Sequence, residues 1–445
     1  MSARRIRFAA GAAQLFAAAT QAQHPPGHDS PDSSAAAPVA WSLGAQATGL
    51  FTVASPAYAN RTLREGYLTQ PMVMGMLSAL DDRIVVHGML DFEGITLQRG
   101  ELDAGMHGEG YVDRRHPHTY LHELVASAAG TLKRTRFSFA AGKGFVAFGT
   151  DDPMVRPFVK YPANHHIAQI VERLLATVAV RQGPLLIEAS RFNGDEPVSP
   201  SDWPNSERLW DSWSARATVF PAAGLEVQAS HARVKSPELD RGGGLDQRKW
   251  NVSLRFEDEP ALPGKKGDVP VGHDHEMHSA RQMSDVPAAT FRRYGLVEWG
   301  RSTDYDAGEK FFRFTTMLAE GELSRGWLAV GARLERTERP EEERLSDPFR
   351  TQRPSTDFSI LGRTRWDMAS VRLSARAWSS RSLAFTPFVE VGRQHVTDLA
   401  TPSAFVSRDF YGSNTLWSYS VGMTISAGTI HRRSGTYGAA VRNAH

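Results

Sequence analysis

Histidines lie close to carboxylate residues in one stretch of the chain, which is the pattern that metal sites require. Asp113 is followed by His116, His118, His122 and Glu123. His118 and His122 would share one face of a helix at the i, i+4 spacing of metal ligands, and the other three could complete a site. The alternative is an internal loop whose His and Arg residues hydrogen-bond to the wall of a surrounding barrel. The stretch lacks the His-Glu-x-x-His pattern, so it predicts no zinc peptidase.

A second stretch, residues 272–283, combines three histidines with two methionines. Histidine with methionine suits copper, and histidine with carboxylates suits zinc or nickel. A solvated loop that binds metals adventitiously is the alternative. We expect no required cofactor, with copper or zinc as the metals that such stretches would take. The candidate metal ligands are His116, His118, His122, His165, His166, His273, His275 and His278.

Other kinds of chemistry find no support in the residues. Serine and histidine both occur, but none lies in a recognisable motif for nucleophilic catalysis, and no Gly-rich phosphate loop is present. The absence of cysteine excludes disulfides, thiol nucleophiles and iron–sulfur clusters. The 51 Lys and Arg against 49 Asp and Glu argue against a nucleic-acid partner. We therefore predict no catalytic residues and a protein that is not an enzyme.

The elements that would position these residues are strands, because the hydrophobic pattern has a period of two. In 416–427, apolar side chains alternate with serine, glycine and threonine, and 248–256 repeats the scheme. Separate strands are also predicted at 357–367 and 370–378. Long loops are predicted at 98–118, 142–170, 192–206, 236–246, 258–287, 338–355 and 396–413.

Short turns at one end of the strands and long loops at the other are typical of a membrane barrel. Four tryptophans lie at the ends of apolar stripes and predict an interfacial girdle: Trp213, Trp250, Trp366 and Trp417. A soluble β-sandwich or propeller is the alternative, since it also alternates apolar and polar residues. We predict an all-β fold, an antiparallel transmembrane β-barrel of about 16 strands with long loops folded into the lumen.

The two ends of the chain lie outside the predicted barrel. Residues 1–22 read as a signal peptide, with Arg4, Arg5 and Arg7 before an Ala-rich apolar stretch. Residues 23–39 are Pro- and Ser-rich and read as a flexible linker. The barrel is predicted over 40–427, and 428–445 as either an extension of the last strand or a tail.

Together the export signal, the alternating strands and the loop lengths resemble a Gram-negative outer-membrane porin-like barrel over residues 40–427. The stretches GEGYVDRRHPHTYLHEL (108–124) and 142–174 are similar to segments of a functionally uncharacterised group of predicted outer-membrane proteins, which gives no activity to carry over. The resemblance implies the bacterial outer membrane, with lipid, the barrel-assembly machinery and a homo-oligomer as partners. Unlike such porins, the chain has no terminal aromatic residue for the assembly machinery to read.

Basic residues on the polar faces of the strands predict the lining of a pore. Arginine in rings or ladders favours anions. The alternative is that these arginines pair with carboxylates and leave a neutral pore. The predicted pore-lining residues are Arg216, Lys249, Arg255, Arg333, Arg363, Arg365, Arg372 and Arg376.

The irregular connection 142–174 is long enough that it should be either functional or disordered. Its partly apolar composition argues against disorder. We expect it to fold into the lumen and narrow the pore, with an ordinary surface loop as the alternative. Its charges of both signs would set a field across the constriction. The predicted constriction residues are Asp151, Asp152, Arg156 and Lys160.

The leading hypothesis for function is passive diffusion of small hydrophilic solutes through this channel, with a preference for anions. A metal-binding outer-membrane protein for copper or zinc is the second hypothesis. A β-barrel hydrolase is the third, and the residues favour it least.

Overall fold

A computed structural model describes residues 39–56, 60, 62–96, 118–150, 156–158, 162, 165–197, 199–258, 291–342, 360–376, 378–379, 383–399, 404–430, 433 and 435–440. The predicted signal peptide and nearly all of the predicted linker lie outside these residues. No helix in the described part of the chain is long and apolar enough to cross a membrane.

The described residues form a closed antiparallel barrel of 16 strands, which confirms the predicted fold. A two-residue piece, Trp378–Ser379, pairs with the start of the fifteenth strand. The strands are β1 (Val39–Ser55), β2 (Leu63–Ala79), β3 (Ile84–Asp91), β4 (Leu121–Leu132), β5 (Thr135–Gly144), β6 (Arg173–Gln182), β7 (Leu185–Phe192), β8 (Ser212–Ala222), β9 (Leu225–Val234), β10 (Asp246–Glu257), β11 (Phe291–Asp306), β12 (Glu309–Arg325), β13 (Leu328–Glu342), β14 (Ile360–Ala375), β15 (Leu383–Asp398) and β16 (Thr415–Gly428).

Short helical pieces lie in the connections. They are α1 (Glu93–Thr96), α2 (His165–Ala168), α3 (Ser407–Tyr411) and the 3-10 turns Ser206–Arg208 and Gly438–Ala440.

The barrel closes because β1 pairs with β2 on one side and with β16 on the other. The side chains of Thr52 and Ser420 share a hydrogen bond of 2.7 Å across the closing pair, on the inward face. Closure satisfies the backbone hydrogen bonds at both edges, which a sheet surrounded by lipid requires.

Alternation along each strand separates an apolar outer face from a polar inner face. In β16, Tyr419 and Val421 are about half exposed on the outside, whereas the alternate residues Ser418 and Ser420 are buried. A period of two places every second side chain on the same face. The exposed apolar face therefore faces lipid, and the polar face lines the interior.

Most tight turns lie at one end of the barrel and most long loops at the other. Gly183 and Gly224 have positive φ angles in two of the tight turns, a conformation that favours glycine. Two connections depart from the predicted rule. Because neighbouring strands alternate in direction, the end of β10 at Glu257 and the start of β11 at Phe291 lie at the tight-turn end, and the two-residue turn 307–308 lies at the long-loop end. The prediction that 258–287 is a loop at the long-loop end was therefore wrong.

The segments predicted as two strands at 357–367 and 370–378 are one continuous strand, β14. Residues of even number point inward along it, from Thr364 to Ser374. Arg363 and Arg365 therefore lie on the outward face, and their prediction as pore-lining residues was wrong. By the same parity Trp366 is buried inside, where its Nε1 donates to Thr364 Oγ1 (3.0 Å), and it is not part of an interfacial girdle.

Candidate functional site

The connection between β5 and β6 runs through the interior of the barrel. Its described residues 145–150, 156–158 and 165–172 together form the lumen segment. Near the start, the amide of Ala147 donates to Ser190 Oγ of β7 (3.2 Å), and the amide of Gly149 donates to Ser230 Oγ of β9 (3.0 Å). Both serines are buried on inward faces. The lumen segment therefore leaves β5 and crosses the interior toward β9.

The middle of the lumen segment reaches the opposite wall. Phe158, which is 1% exposed, packs against Gly331 of β13. The guanidinium of Arg333 lies over the Phe158 ring, 4.4 Å from its centroid. Arg372 Nη1 of β14 donates to the carbonyl of Pro157 (2.6 Å). Since β13 lies eight places from β5 around the barrel, this contact spans the full width of the lumen.

The last part of the lumen segment follows the wall back to β6. Helix α2 contacts β10, β11 and β12, and Lys249 Nζ of β10 donates to the carbonyl of His166 (2.5 Å). The amide of Val146 donates to the carbonyl of Ile170 (3.0 Å), so the start and the end of the segment lie side by side. The segment is fastened at both ends and at its middle.

Arg156 is the predicted constriction residue that the structure describes. Its Nη2 donates to Thr150 Oγ1 (2.6 Å) and lies 4.0 Å from Glu298 Oε2, while its Nη1 lies 3.8 Å from Glu320 Oε1. All these groups are buried or nearly so. Arg156 thus places a positive charge of the lumen segment beside two carboxylates of the wall. Asp151, Asp152 and Lys160 lie outside the described residues.

Five of the eight predicted pore-lining cations belong to the inward faces of their strands. They are Arg216, Lys249, Arg255, Arg333 and Arg372. Arg376 follows β14 at the tight-turn end, where its amide donates to the carbonyl of Trp327 (2.7 Å).

The inward arginines are engaged by carboxylates and by the lumen segment. Arg216 donates to both oxygens of Glu188, from Nε (2.6 Å) and Nη2 (2.8 Å). Its Nη1 also donates to the carbonyl of Gly149 (3.2 Å). Arg333 Nε donates to Glu320 Oε2 (2.8 Å). These arginines therefore hold the contents of the lumen in place, and much of their charge is balanced.

Beyond Gly428 the described residues do not continue the last strand but lie inside the barrel. Residues 433 and 435–440 form the C-terminal segment. Arg433 makes two hydrogen bonds to the carboxylate of Glu226 on β9 (2.7 and 3.0 Å), and the carbonyl of Gly435 accepts from Arg216 Nη2 (2.8 Å). The C-terminal segment is thus tied to the wall by charge-assisted hydrogen bonds, which are stronger than neutral ones.

The remainder of the C-terminal segment packs on the inner wall and touches the lumen segment. The hydroxyl of Tyr437 accepts from the amide of Phe145 (3.0 Å). The amide of Ala439 donates to Ser138 Oγ of β5 (2.8 Å), and Ala439 packs with Ala179 and Leu186 in a buried apolar cluster. Two segments therefore occupy the lumen and contact one another.

A buried group of acidic and histidine side chains lies where β3 meets its long loop. Glu93 Oε1 accepts from Thr69 Oγ1 (2.7 Å) and from the amide of Gln70 (2.9 Å). Glu93 Oε2 lies 3.1 Å from His118 Nδ1, and Asp91 Oδ2 lies 3.7 Å from the same nitrogen. Burial alone would lower the pKa of His118, but its hydrogen bond to Glu93 and the surrounding carboxylates raise that pKa well above its usual value.

Glu172, at the end of the lumen segment, organises a second buried group beside the first. Its Oε1 accepts from the amide (2.8 Å) and hydroxyl (2.5 Å) of Thr119 and lies 3.0 Å from His122 Nδ1. Lys143 Nζ lies 3.9 Å away and donates to Thr119 Oγ1. Burial would raise the pKa of Glu172, but the charge and hydrogen bond of His122, with His118 and Lys143, hold it far below its usual value.

The predicted helix carrying His118 and His122 is absent from the described residues. Strand β4 begins at Leu121, and a register shift opposite Met89 and Leu90 lets His122 and Glu123 both turn inward. The extra residue of a β-bulge has this effect. The rings of His118 and His122 still meet, with centroids 4.7 Å apart, because the strand and its preceding loop lie side by side.

The other predicted metal ligands do not join them. His165 and His166 stack on each other in α2, against β10 to β12, on the wall opposite β3. Among the described residues, the group that could hold a metal is Asp91, Glu93 and His118. The remaining predicted ligands lie outside the described part of the chain: His116, His273, His275 and His278.

Sequence reasoning missed Asp91, Glu93, Lys143 and Glu172. Asp91 and Glu93 flank Phe92 at a strand end, where charged residues are ordinary. Glu172 lies more than fifty positions from Thr119 in the chain, and nothing local in the sequence indicates their contact.

The chain matches no protein-family profile and no curated protein. Among solved structures it is similar to the anion-selective porin from Comamonas acidovorans, with 8% identity, a TM-score of 0.47, and coverage of 88% of this chain and 99% of that one. It is also similar to Pseudomonas aeruginosa OpdO (10%, 0.37, 87% and 97%) and to Vibrio cholerae OmpT (9%, 0.45, 88% and 99%). All three TM-scores are below 0.5, so the fold assignment rests on the strand pairing described above. The closed barrel, its exposed apolar outer surface and its polar interior are those of a transmembrane β-barrel.

Proposed function

We propose that the protein is a non-enzymatic outer-membrane channel through which small hydrophilic solutes diffuse passively, and that the lumen segment narrows it. The observation that carries this proposal is the course of the lumen segment, which is fastened to β7, β9 and β10 and reaches β13 and β14 across the barrel. A polar interior interrupted by a fastened segment suits a size-limited pore, since hydrogen-bonding walls replace the hydration of a passing solute.

The preference for anions has less support than the channel itself. Arg216 and Arg333 pair with wall carboxylates, and Arg255 Nη2 donates to Glu257 Oε2 (2.6 Å). Arg363 and Arg365 lie on the outer face. The interior thus carries both signs of charge, and we propose only a weak preference for anions.

The experiment that tests the function is conductance of the refolded full-length protein in a planar lipid bilayer, under a salt gradient. We expect stable ohmic conductance steps, with a reversal potential displaced slightly toward the equilibrium potential of the anion. The same protein added in its unfolded form serves as the control and should give no steps. Silence from protein shown to be folded by its heat-dependent gel mobility would overturn the channel.

We also propose partners for the barrel. Its outer face contacts lipid, and we propose assembly by the barrel-assembly machinery and association into a homo-oligomer. Chemical cross-linking in native membranes tests the latter, with a monomer pattern at all cross-linker concentrations as the contrary result.

A further inference from the structure

The end of β3 and the loop after it place two carboxylates around one imidazole nitrogen. Glu93 Oε2 lies 3.1 Å and Asp91 Oδ2 lies 3.7 Å from His118 Nδ1. One ligand atom from each of the three residues can be chosen so that all lie within 4.8 Å of one another. All three side chains are buried, and Asp91 is 0% exposed.

These separations match the edges of a metal coordination shell. With metal–ligand bonds of about 2.1 Å, neighbouring ligands lie about 3.0 Å apart in an octahedron and about 3.4 Å apart in a tetrahedron. The distance of 3.1 Å from Glu93 lies within this range, and the distance of 3.7 Å from Asp91 is slightly longer than its upper end. Small side-chain adjustments would therefore bring the three atoms around one ion.

Each carboxylate is held by one oxygen and presents the other. Asp91 Oδ1 accepts from the amide of Glu93 (2.7 Å), and Glu93 Oε1 accepts from Thr69 and Gln70. Asp91 Oδ2 is fully buried and has no hydrogen-bond partner among the described residues. Supporting hydrogen bonds that orient a ligand while leaving one atom available are characteristic of metal sites.

We propose that Asp91, Glu93 and His118 bind one divalent transition-metal ion such as Zn²⁺. Two carboxylates carry a charge that a divalent ion neutralises, and an imidazole nitrogen selects zinc and its neighbours over Ca²⁺ or Mg²⁺. The donor set contains no sulfur, which Cu(I) prefers. This site does not depend on the channel function.

The ion would fasten the long loop after β3 to the barrel wall. His118 lies just before β4, whereas Asp91 is the last residue of β3 and Glu93 follows it, so one ion would join the two ends of the connection 92–120. Closing a long loop in this way stabilises the folded state, since the unfolded chain has no preformed site.

The test uses the full-length protein without a purification tag, carrying alanine at His24, His28, His273, His275 and His278 to remove adventitious sites. After chelator treatment, Zn²⁺ is titrated by calorimetry. We expect one ion per chain, and at least about 100-fold weaker binding in Asp91→Asn and Glu93→Gln. His395→Gln is the matched control, because His395 lies on the wall at β15, with Nδ1 3.1 Å from Thr415 Oγ1, and it should leave the affinity unchanged.

Two results would overturn the site. One is the absence of stoichiometric zinc binding when the chelator-treated, folded protein is titrated with Zn²⁺, which would leave the cluster a hydrogen-bonded ion pair. The other is unchanged affinity in Asp91→Asn. If these variants do not fold, zinc X-ray absorption on the otherwise native protein decides, since we expect one imidazole with oxygen ligands. A shell with several imidazoles would contradict the assignment.

Discussion

At the scale of single residues, Arg216 connects three parts of the molecule. It pairs with Glu188 of the neighbouring strand and donates to carbonyls of both the lumen segment and the C-terminal segment. Both members of the pair are at most 4% exposed. Arg216→Gln leaves the Glu188 carboxylate buried without its cation, which costs about 3–5 kcal/mol. We therefore expect a lower thermal unfolding midpoint of the refolded barrel in detergent, followed by circular dichroism.

The matched control for Arg216 is the double variant Arg216→Gln with Glu188→Gln. It removes both charges, so no charge is left buried without a partner, and we expect it to recover most of the lost stability. A double variant that is less stable than Arg216→Gln alone would show that the pair itself is not the source of the effect.

Glu172 gives a prediction about pH. Its pKa in the folded protein lies far below the unfolded value of about 4.3, because His122, His118 and Lys143 face its carboxylate. A lowered pKa contributes stability above the unfolded pKa, and that contribution is lost as the pH falls through the folded pKa. Glu172→Gln should therefore lower the unfolding midpoint at pH 7, and its difference from wild type should shrink below about pH 4.

The control for the pH measurement is Glu207→Gln, at an exposed position in a 3-10 turn. It should follow the wild-type stability at every pH. A difference between Glu172→Gln and wild type that stays constant down to pH 3 would contradict the role assigned to the ionised carboxylate.

Whether a side chain points into the barrel could be predicted where the alternation of inward and outward residues along the strand was read correctly. Arg372 was correctly placed on the inward face because its neighbours alternate clearly. Arg363 and Arg365 were misplaced because β14 was read as two strands, each with its own choice of inward face. One strand has a single parity, so Arg363 and Arg372, of opposite parity, cannot both point inward without a bulge between them.

At the scale of elements, the position of the lumen segment depends on the packing of Phe158, in its middle, against the far wall. Phe158 is buried between Gly331 and the guanidinium of Arg333. Phe158→Ala removes this packing, and large-to-small changes of this kind cost about 3–5 kcal/mol in a well-packed interior. We expect the segment to leave the wall more often, which single-channel recording would show as larger or noisier conductance steps.

Phe139→Ala is the matched control for the lumen segment, because Phe139 is 53% exposed on the outer face of β5. Its conductance should equal that of the wild type. Identical conductance in Phe158→Ala and wild type would mean that the packing of Phe158 against β13 does not limit the conductance of the pore.

Elements were predictable where the pattern is local. The alternation at 416–427 and 248–256 correctly indicated β16 and β10, since a half-buried strand needs a period of two. The connections were harder to place. The tight turn at 307–308 lies at the end where long loops were expected. The end at which a turn lies depends on strand direction, which can be assigned only when every preceding strand has been counted correctly. The predicted helix at His118 was wrong because β4 begins at Leu121, and a bulge in its pairing with β3 turns His122 inward.

At the scale of the whole molecule, the closed barrel and the entry of 142–174 into the lumen could be predicted, but the C-terminal segment and the contacts that hold both segments could not. Alternation and turn spacing are properties of neighbouring residues, and closure follows because lipid leaves no partner for an open edge. The interior is filled by contacts between residues far apart in sequence, such as Arg433 with Glu226 and Tyr437 with Phe145. No local pattern records those contacts.

The C-terminal segment gives the last prediction, because it occupies the lumen beside β4 to β9. It is held by Arg433 on Glu226 and by Ala439 in an apolar cluster on the inner wall. Because the last strand ends at Gly428, removal of residues 431–445 leaves every strand intact. We expect the truncated protein to refold and to show a larger single-channel conductance, since the space that the segment fills becomes available to ions. Deletion of residues 23–37, which are equal in number and precede β1, should leave conductance unchanged. Equal conductance of the truncated and full-length proteins would mean that the C-terminal segment lies outside the conducting path, and that the lumen segment alone narrows the barrel.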